Sequence, residues 1–353
     1  VIPEDYRRHI EIVQGLSVPG GALDSQGPHA TVNNRDWFRE NGVPRQGRRV
    51  LHERLKAEVL ESHREAKYEK RALVLAGPPG AGKGRVAETV LGEHQRHYVN
   101  VDADEFKKLL LREALSDGSY DSWIKPHAVR DLEAQGERFY PLELASLVHE
   151  ESSRLATIMR KDLIKSGCNV VVDTVLSSEG SAQRLGEQFE AAGYRVTVVD
   201  VEVPFEVSAE RIVQRWQHAM QEAESGKADA LGGRWVPSAY ARPLFETEHG
   251  RSKSQDVAVR LAEDCSAVVR YERHYTSIEE HRASMRDGRA AKPHREEAKV
   301  RDKPGAELMS KRSATRLSAA SFAGSKASTH GVGAQIQRSP RRPTPGIENG
   351  IQR

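Results

Sequence analysis

Five short apolar runs, each rich in valine, punctuate the middle of the chain: ALVLA at 72–76, YVNV at 98–101, NVVVD at 169–173, RVTVVDVEV at 195–203 and SAVVRY at 266–271. Short runs of this kind are each consistent with a strand covered on both faces. Between them the apolar positions recur at helical spacing. Helices are expected over 51–68, 85–96, 104–115, 141–166, 181–192 and 207–224, the fourth opening on Pro141 and stopping at Gly167. Strands alternating with helices imply right-handed crossovers, an α/β three-layer sandwich with a mostly parallel five-stranded sheet, and a ligand site at the carboxyl ends of the strands.

The two ends lack this rhythm. Residues 1–45 are interrupted by SVPGG, SQGPH and NGVP, which predicts an irregular N-terminal extension with one short helix near Pro3–Gln14. Residues 281–353, with SAASFAGSKASTHGVG and SPRRPTPG, read as a disordered tail, which leaves 46–280 as the catalytic-size domain. Charge divides in the same way. The tail holds 16 basic against 6 acidic residues, and the remainder 38 against 45. A mildly acidic body is not expected to bind nucleic acid, whereas the tail can attract a polyanion weakly through counterion release. No apolar run reaches the roughly 18 residues of a membrane helix, and VIPEDYRRHIEIV is too charged for a signal peptide. Cys168 and Cys265 are too few for a disulfide framework and lack zinc spacing, so both read as reduced, buried thiols of a cytoplasmic protein.

Candidate chemistry concentrates at the strand ends. GPPGAGKGRV, 77–86, follows the first strand and opens a helix, the context of a phosphate-binding loop. Its backbone N–H groups would wrap a β-phosphate and Lys83 would reach the β- and γ-phosphates. The nucleotide-binding residues are then Gly77, Gly80, Ala81, Gly82, Lys83, Gly84 and Arg85. Gly84 stands where such loops carry the Ser or Thr that meets Mg2+, and water is expected to replace the hydroxyl. VDADEF puts Asp102 at the tip of the second strand and Asp104 at or near the N-cap of the next helix. Such a carboxylate serves equally as a general base for phosphoryl transfer or as a simple cap. Asp173 ends the third strand, where an acidic residue orders Mg2+. Arg211 and Arg215 lie one helical turn apart, and Arg234 follows a Gly-Gly pair; arginines of this kind can neutralise a transferring phosphoryl group. His149 reads as a half-buried helix residue.

Taken in order, GPPGAGKG, DADEFK, HEESS on a long helix, VVVDTVLS, QRW and GGRWVP resemble the zeta toxin family of toxin–antitoxin systems over roughly residues 48–275. Those proteins are P-loop kinases that phosphorylate the sugar 3′-hydroxyl of UDP-N-acetylglucosamine with ATP and Mg2+. The resemblance implies Lys83 as the loop lysine, Asp104 as general base, Arg215 and Arg234 as the pair on the ATP phosphates, and Asp173 with Thr174 beside the nucleotide sugar, Asp173 also serving the metal. It implies a protein antitoxin as partner. Where the family has Asp-Gly-Thr-Leu this chain reads DTVL, and a missing hydroxyl is a missing hydrogen bond to the acceptor. Adenylate kinases resemble the chain at GPPGAGKG and share the glycine at 84. Two other functions fit the same motifs: a P-loop kinase acting on another small-molecule or polynucleotide hydroxyl, and a nucleotide-dependent protein-binding module without turnover.

Overall fold

The structure is a computed structural model of the chain, and it describes residues 3–227, 229–236, 238–247, 252–289 and 291–310. In chain order the elements are α1 (Glu4–Leu16), α2 (Gln46–Glu61), β1 (Arg71–Ala76), α3 (Lys83–Leu91), β2 (Val99–Val101), α4 (Ala103–Asp117) and α5 (His127–Ala134). They continue with α6 (His149–Ser166), β3 (Val170–Asp173), α7 (Glu179–Ala192), β4 (Arg195–Glu202), α8 (Phe205–Glu224) and α9 (Ser238–Ala241). The last are α10 (Lys253–Asp264), β5 (Val268–Tyr275), α11 (Ile278–Arg286), β6 (His294–Val300) and β7 (Met309–Ser310).

The strands form one sheet in the order β2-β3-β1-β4-β5-β6-β7. The first five are parallel, as their apolar runs predict, and β6 and β7 add antiparallel to them. Along β1, Ala72, Val74 and Ala76 enter one apolar cluster and Leu73 and Leu75 enter another, so both faces of the strand are covered. That double burial is why the strands read as unbroken apolar runs. Among the described residues no helix is long and apolar enough to cross a membrane, and Cys168 and Cys265 are buried free thiols.

Four expectations change. The sheet has seven strands rather than five, because 294–300 and 309–310, read as disordered tail, extend it. The strand HREEAKV carries no apolar alternation, and Arg301 just after it is buried, donating from Nη1 to the Val268 carbonyl (3.0 Å) and from Nη2 to Ala262 (2.8 Å) and Glu263 (2.7 Å). The rest of the expected tail, 311–353, lies outside the described residues. The N-terminal segment is not a separate extension: α1 sends Ile10 and Val13, and the following loop Leu23, into the main core. The helix expected over 141–166 is two elements, a 3₁₀ stretch Pro141–Val148 and then α6. The Glu143 carboxylate caps the first of these by accepting from the Tyr140 N–H at 2.9 Å. Finally, α5, α9, α10 and α11 have no counterpart in the expected set.

Candidate active site

β1, β2 and β3 end level with one another: Leu75 pairs with Asp173 and Val101 with Val172. The residues that follow these three ends therefore meet in a cleft of about 640 Å³. From β1 comes the phosphate loop, contributing Gly80, Ala81, Gly82, Lys83 and Gly84; from β2 come Asp102 and Asp104, and from β3 Asp173 and Thr174. α8 adds Arg211 and Arg215, and the loop before α9 adds Arg234.

The loop conformation follows from its residues. Gly82 is the left-handed N-cap of α3 at φ 99°, and α3 starts at Lys83, so the first N–H groups of that helix and its positive end face the cleft. Lys83 Nζ donates to the carbonyls of Gly77 (2.9 Å) and Pro78 (3.4 Å) and lies 3.7 Å from Asp173 Oδ1. Arg211 and Ser208 of α8 clamp the loop from behind: Arg211 Nη1 reaches the carbonyls of Gly80 (3.2 Å) and Ala81 (3.1 Å), and Ser208 Oγ that of Pro79 (2.7 Å). A Cβ at Gly84 would meet no atom within 4 Å, so the site has open space where a hydroxyl would stand.

Two of the expected loop residues lie elsewhere. Gly77 does not line the cleft; it packs on β4, where a Cβ would sit 2.2 Å from the Val201 carbonyl oxygen. Arg85 turns away from the cleft and donates to the Ala291 carbonyl at 3.2 Å, because its place on α3 puts it on the side of α11.

The acidic residues divide by environment. Asp102 is the N-cap of α4 and accepts from the Asp104 N–H at 2.8 Å. Burial, reinforced by the Asp104 charge, pushes its carboxyl up to about 6. Asp104 sits in the first turn, with Lys107 Nζ 2.9 Å from Oδ1 and Arg234 Nη2 2.9 Å from Oδ2. Burial works to raise Asp104, but the Arg234 and Lys107 charges outweigh it and hold the carboxyl below its ordinary range. Asp173 is raised, burial exceeding the pull of Lys83. The result is one firmly ionised carboxylate beside two that hold protons more readily. Thr174 spends its hydroxyl locally, accepting from the Leu176 N–H at 3.1 Å.

Arg215 and Arg234 both face the acidic group, Arg234 through its ion pair with Asp104. Two further residues belong to the site. Lys107 is only 4% exposed, a burial that lysine tolerates because Asp104 pairs with it. Its signal in the sequence is the three-residue spacing from Asp104 in DEFK, which puts both on one helix face. His149 lines the cleft at the start of α6, and burial together with the Lys107 charge lowers its pKa, which favours the neutral ring. Among the described residues no group of three or more His, Cys, Asp or Glu is arranged as a metal cage. Among the described residues, none of 3–45 lines the cleft.

Known proteins share parts of this sequence and fold. The adenylate kinase of Deinococcus radiodurans is 28% identical over 160 residues, 45% of this chain and 71% of that protein. The adenylate kinase of Deinococcus deserti is 26% identical over 191 residues, 52% of this chain and 87% of that protein. The native AvrRxo1-ORF1:-ORF2 complex contains a chain of similar fold, with a TM-score of 0.51 at 18% identity over 84% of this chain and 78% of that one. The family described as zeta toxin matches residues 56–282, a span that runs from α2 into α11 and contains every cleft residue named above. By that match, and with the P-loop kinase fold beneath it, the chain belongs to the zeta toxin family.

Proposed function

We propose that the chain is an ATP-dependent, Mg2+-assisted kinase that phosphorylates a sugar hydroxyl of a nucleotide sugar, UDP-N-acetylglucosamine, as the toxin of a toxin–antitoxin pair. The observation that carries this reading is Asp104: a carboxylate held below its ordinary range, it lines the same cleft as Lys83 and lies 2.9 Å from both Lys107 Nζ and Arg234 Nη2. A cleft of about 640 Å³ is within the usual range for small-molecule sites, roughly 300–1,000 Å³.

In this reading the phosphate loop and Lys83 bind the β- and γ-phosphates of ATP. Asp104 takes the proton of the acceptor hydroxyl as that oxygen attacks the terminal phosphorus, and the bond to the bridging oxygen of ADP breaks. Arg215 and Arg234 balance the charge spread over the transferring oxygens. Asp173 and Thr174 face the acceptor side. The donors fit Mg2+, which takes one or two carboxylates with phosphate and water in its remaining positions: Asp173 and Asp102, both raised chiefly by burial, are the cleft carboxylates that would hold it. When bound, the ion would supply charge neutralisation at the phosphates. A second protein as partner is supported by the family and by the two-component complex in which the AvrRxo1 relative was solved.

The test is incubation with ATP, Mg2+ and UDP-N-acetylglucosamine, followed by mass spectrometry of the sugar nucleotide. One added phosphoryl group is expected, and its loss in Asp104→Asn. Phosphorylation of another acceptor in a panel of nucleotides, amino sugars and polynucleotide ends would replace the substrate. ATP binding with no acceptor phosphorylated would overturn the kinase.

A further inference from the structure

Arg234 reaches Asp104 from a loop whose own position needs explaining. Leu231–Val236 contains no helix or strand, yet Leu231, Trp235 and Val236 are all buried. Two glycines make this fit. A Cβ at Gly232, φ +79°, would lie 2.2 Å from the Cβ of Tyr140, and one at Gly233 would lie 2.5 Å from the Trp216 carbonyl oxygen. The loop is therefore pressed between Tyr140 on one side and Trp216 on the other, with no space for a side chain at either glycine. Leu142 N–H donates to the Leu231 carbonyl at 2.8 Å, and the Trp235 ring meets Trp216 edge-on, 5.9 Å between centroids.

Both walls are held by α1. The His9 ring stacks on Trp216 at 6.0 Å and 19°, and the Tyr6 ring meets Trp216 edge-on at 5.5 Å. The Tyr6 hydroxyl donates to Glu224 Oε2 at 2.6 Å, which ties the same helix to the end of α8. On the other wall, His9 Nε2 lies 2.8 Å from Glu143 Oε1, while Glu143 Oε2 accepts from the Tyr140 N–H at 2.9 Å. His9 is 6% exposed and Glu143 3%, so this polar link is sealed from water, where it is strong and directional. α1 lies wholly before the family match at residue 56, and no residue of it lines the cleft.

We propose that His9 and Tyr6 are positioning residues for Arg234: α1 fixes Trp216 and Tyr140, these fix the Gly232-Gly233 turn, and the turn sets the guanidinium against Asp104. The proposal rests on the kinase reading for its catalytic consequence, though not for its structural one. Displacing a phosphate-binding guanidinium by about 1 Å is sufficient to slow transfer on the order of tenfold to a hundredfold.

The experiment is a double-mutant cycle read in two ways. His9→Ala is expected to lower kcat at least tenfold with little change in the KM for ATP, and to cause no further loss in an Arg234→Ala background. In parallel, the side-chain Nε resonance of Arg234, followed by NMR in the full chain, is expected to shift and broaden in His9→Ala while far-UV circular dichroism stays native. That second arm needs no turnover, so it decides the positioning claim even if no acceptor is ever phosphorylated. An equal further loss of kcat in the Arg234→Ala background, or an unaltered Arg234 resonance in folded His9→Ala, overturns the proposal. If His9→Ala does not fold, Tyr6→Leu, which removes the edge contact on Trp216 and the Glu224 hydrogen bond from a more exposed position, decides it by the same two criteria.

Discussion

Lys107 Nζ lies 2.9 Å from Asp104 Oδ1 on the same face of α4, and Lys107 is 4% exposed. The buried ammonium and the Arg234 guanidinium together keep Asp104 ionised against the cost of its burial. Lys107→Met keeps the bulk and removes one of the two charges. With less positive charge facing it, Asp104 binds its proton more tightly, and the acid limb of the kcat profile moves to higher pH. At pH 7 we expect kcat to fall about tenfold. A pH–rate series on wild type and variant checks this; an unmoved acid limb would remove Lys107 from the site.

Asp102 yields an expectation of opposite sign. Its carboxyl is raised to about 6 by burial and by the Asp104 charge, so the folded chain binds more protons there than the unfolded chain. Stability must then decrease as pH rises from the ordinary aspartate range through about 6. Asp102→Asn retains the oxygen that caps α4 and has no charge to bury. We expect it to be more stable than wild type at pH 7.5, by on the order of 2 kcal/mol, with the gain shrinking toward pH 4.5. Denaturant titrations at both pH values measure the difference.

Glu151 follows the more usual pattern. It is 1% exposed and accepts from Arg48 Nε (2.6 Å) and Nη2 (2.8 Å), with His52 Nε2 2.6 Å away, which joins α6 to α2. Burial would raise it, but His52 and Arg48 prevail and bring it down to about 2. Its contribution is present in full above the unfolded value and is lost as pH falls through the folded one. Glu151→Gln leaves Arg48 buried without its counter-charge and should cost about 3–5 kcal/mol at pH 7. The variant should also lose stability less steeply than wild type between pH 4.5 and pH 2, as acid-unfolding curves will show.

Gly84→Ser places a hydroxyl in open space at the first turn of α3, with no atom within 4 Å of its Cβ. No repacking is needed to accept it. We expect tighter binding of the Mg2+–nucleotide complex, by about tenfold, from one direct ligand replacing a water. Calorimetry with Mg2+ varied at fixed nucleotide tests this, and unchanged affinity would show that water and the carboxylates suffice.

How much of this was legible in the sequence depended on whether the information was local. The five parallel strands were readable as short valine-rich runs, and Lys83, Asp104 and Asp173 because they lie at or within a few residues of the ends of three of them. Arg215 and Arg234 were readable through their motifs. By contrast, β6 was hidden: HREEAKV holds only Ala298 and Val300 as apolar residues and is a strand because β5 pairs with it. The direction of Arg85 was hidden as well, since helical phase near a glycine loop is set by where the loop releases the chain. The place of α1 was the least visible, because Glu143 and Trp216, the partners of His9, are 134 and 207 residues away in sequence. HEESS was expected on a long helix with His149 as its noted residue, and the structure pairs Glu151 within it with Arg48 and His52 of α2.

The antiparallel strand β6 also determines where the folded body can safely be cut. The family match ends at residue 282, before β6 begins, and a fragment ending there would leave one flank of β5 without its partner strand over the six residues from Arg270 to Tyr275. An open flank of that length is a template for pairing with a second molecule. Such a fragment would also lose Arg301, which closes off four carbonyls around the end of α10. A soluble, monomeric fragment therefore has to run through Ser310, some thirty residues past the point at which the family resemblance stops.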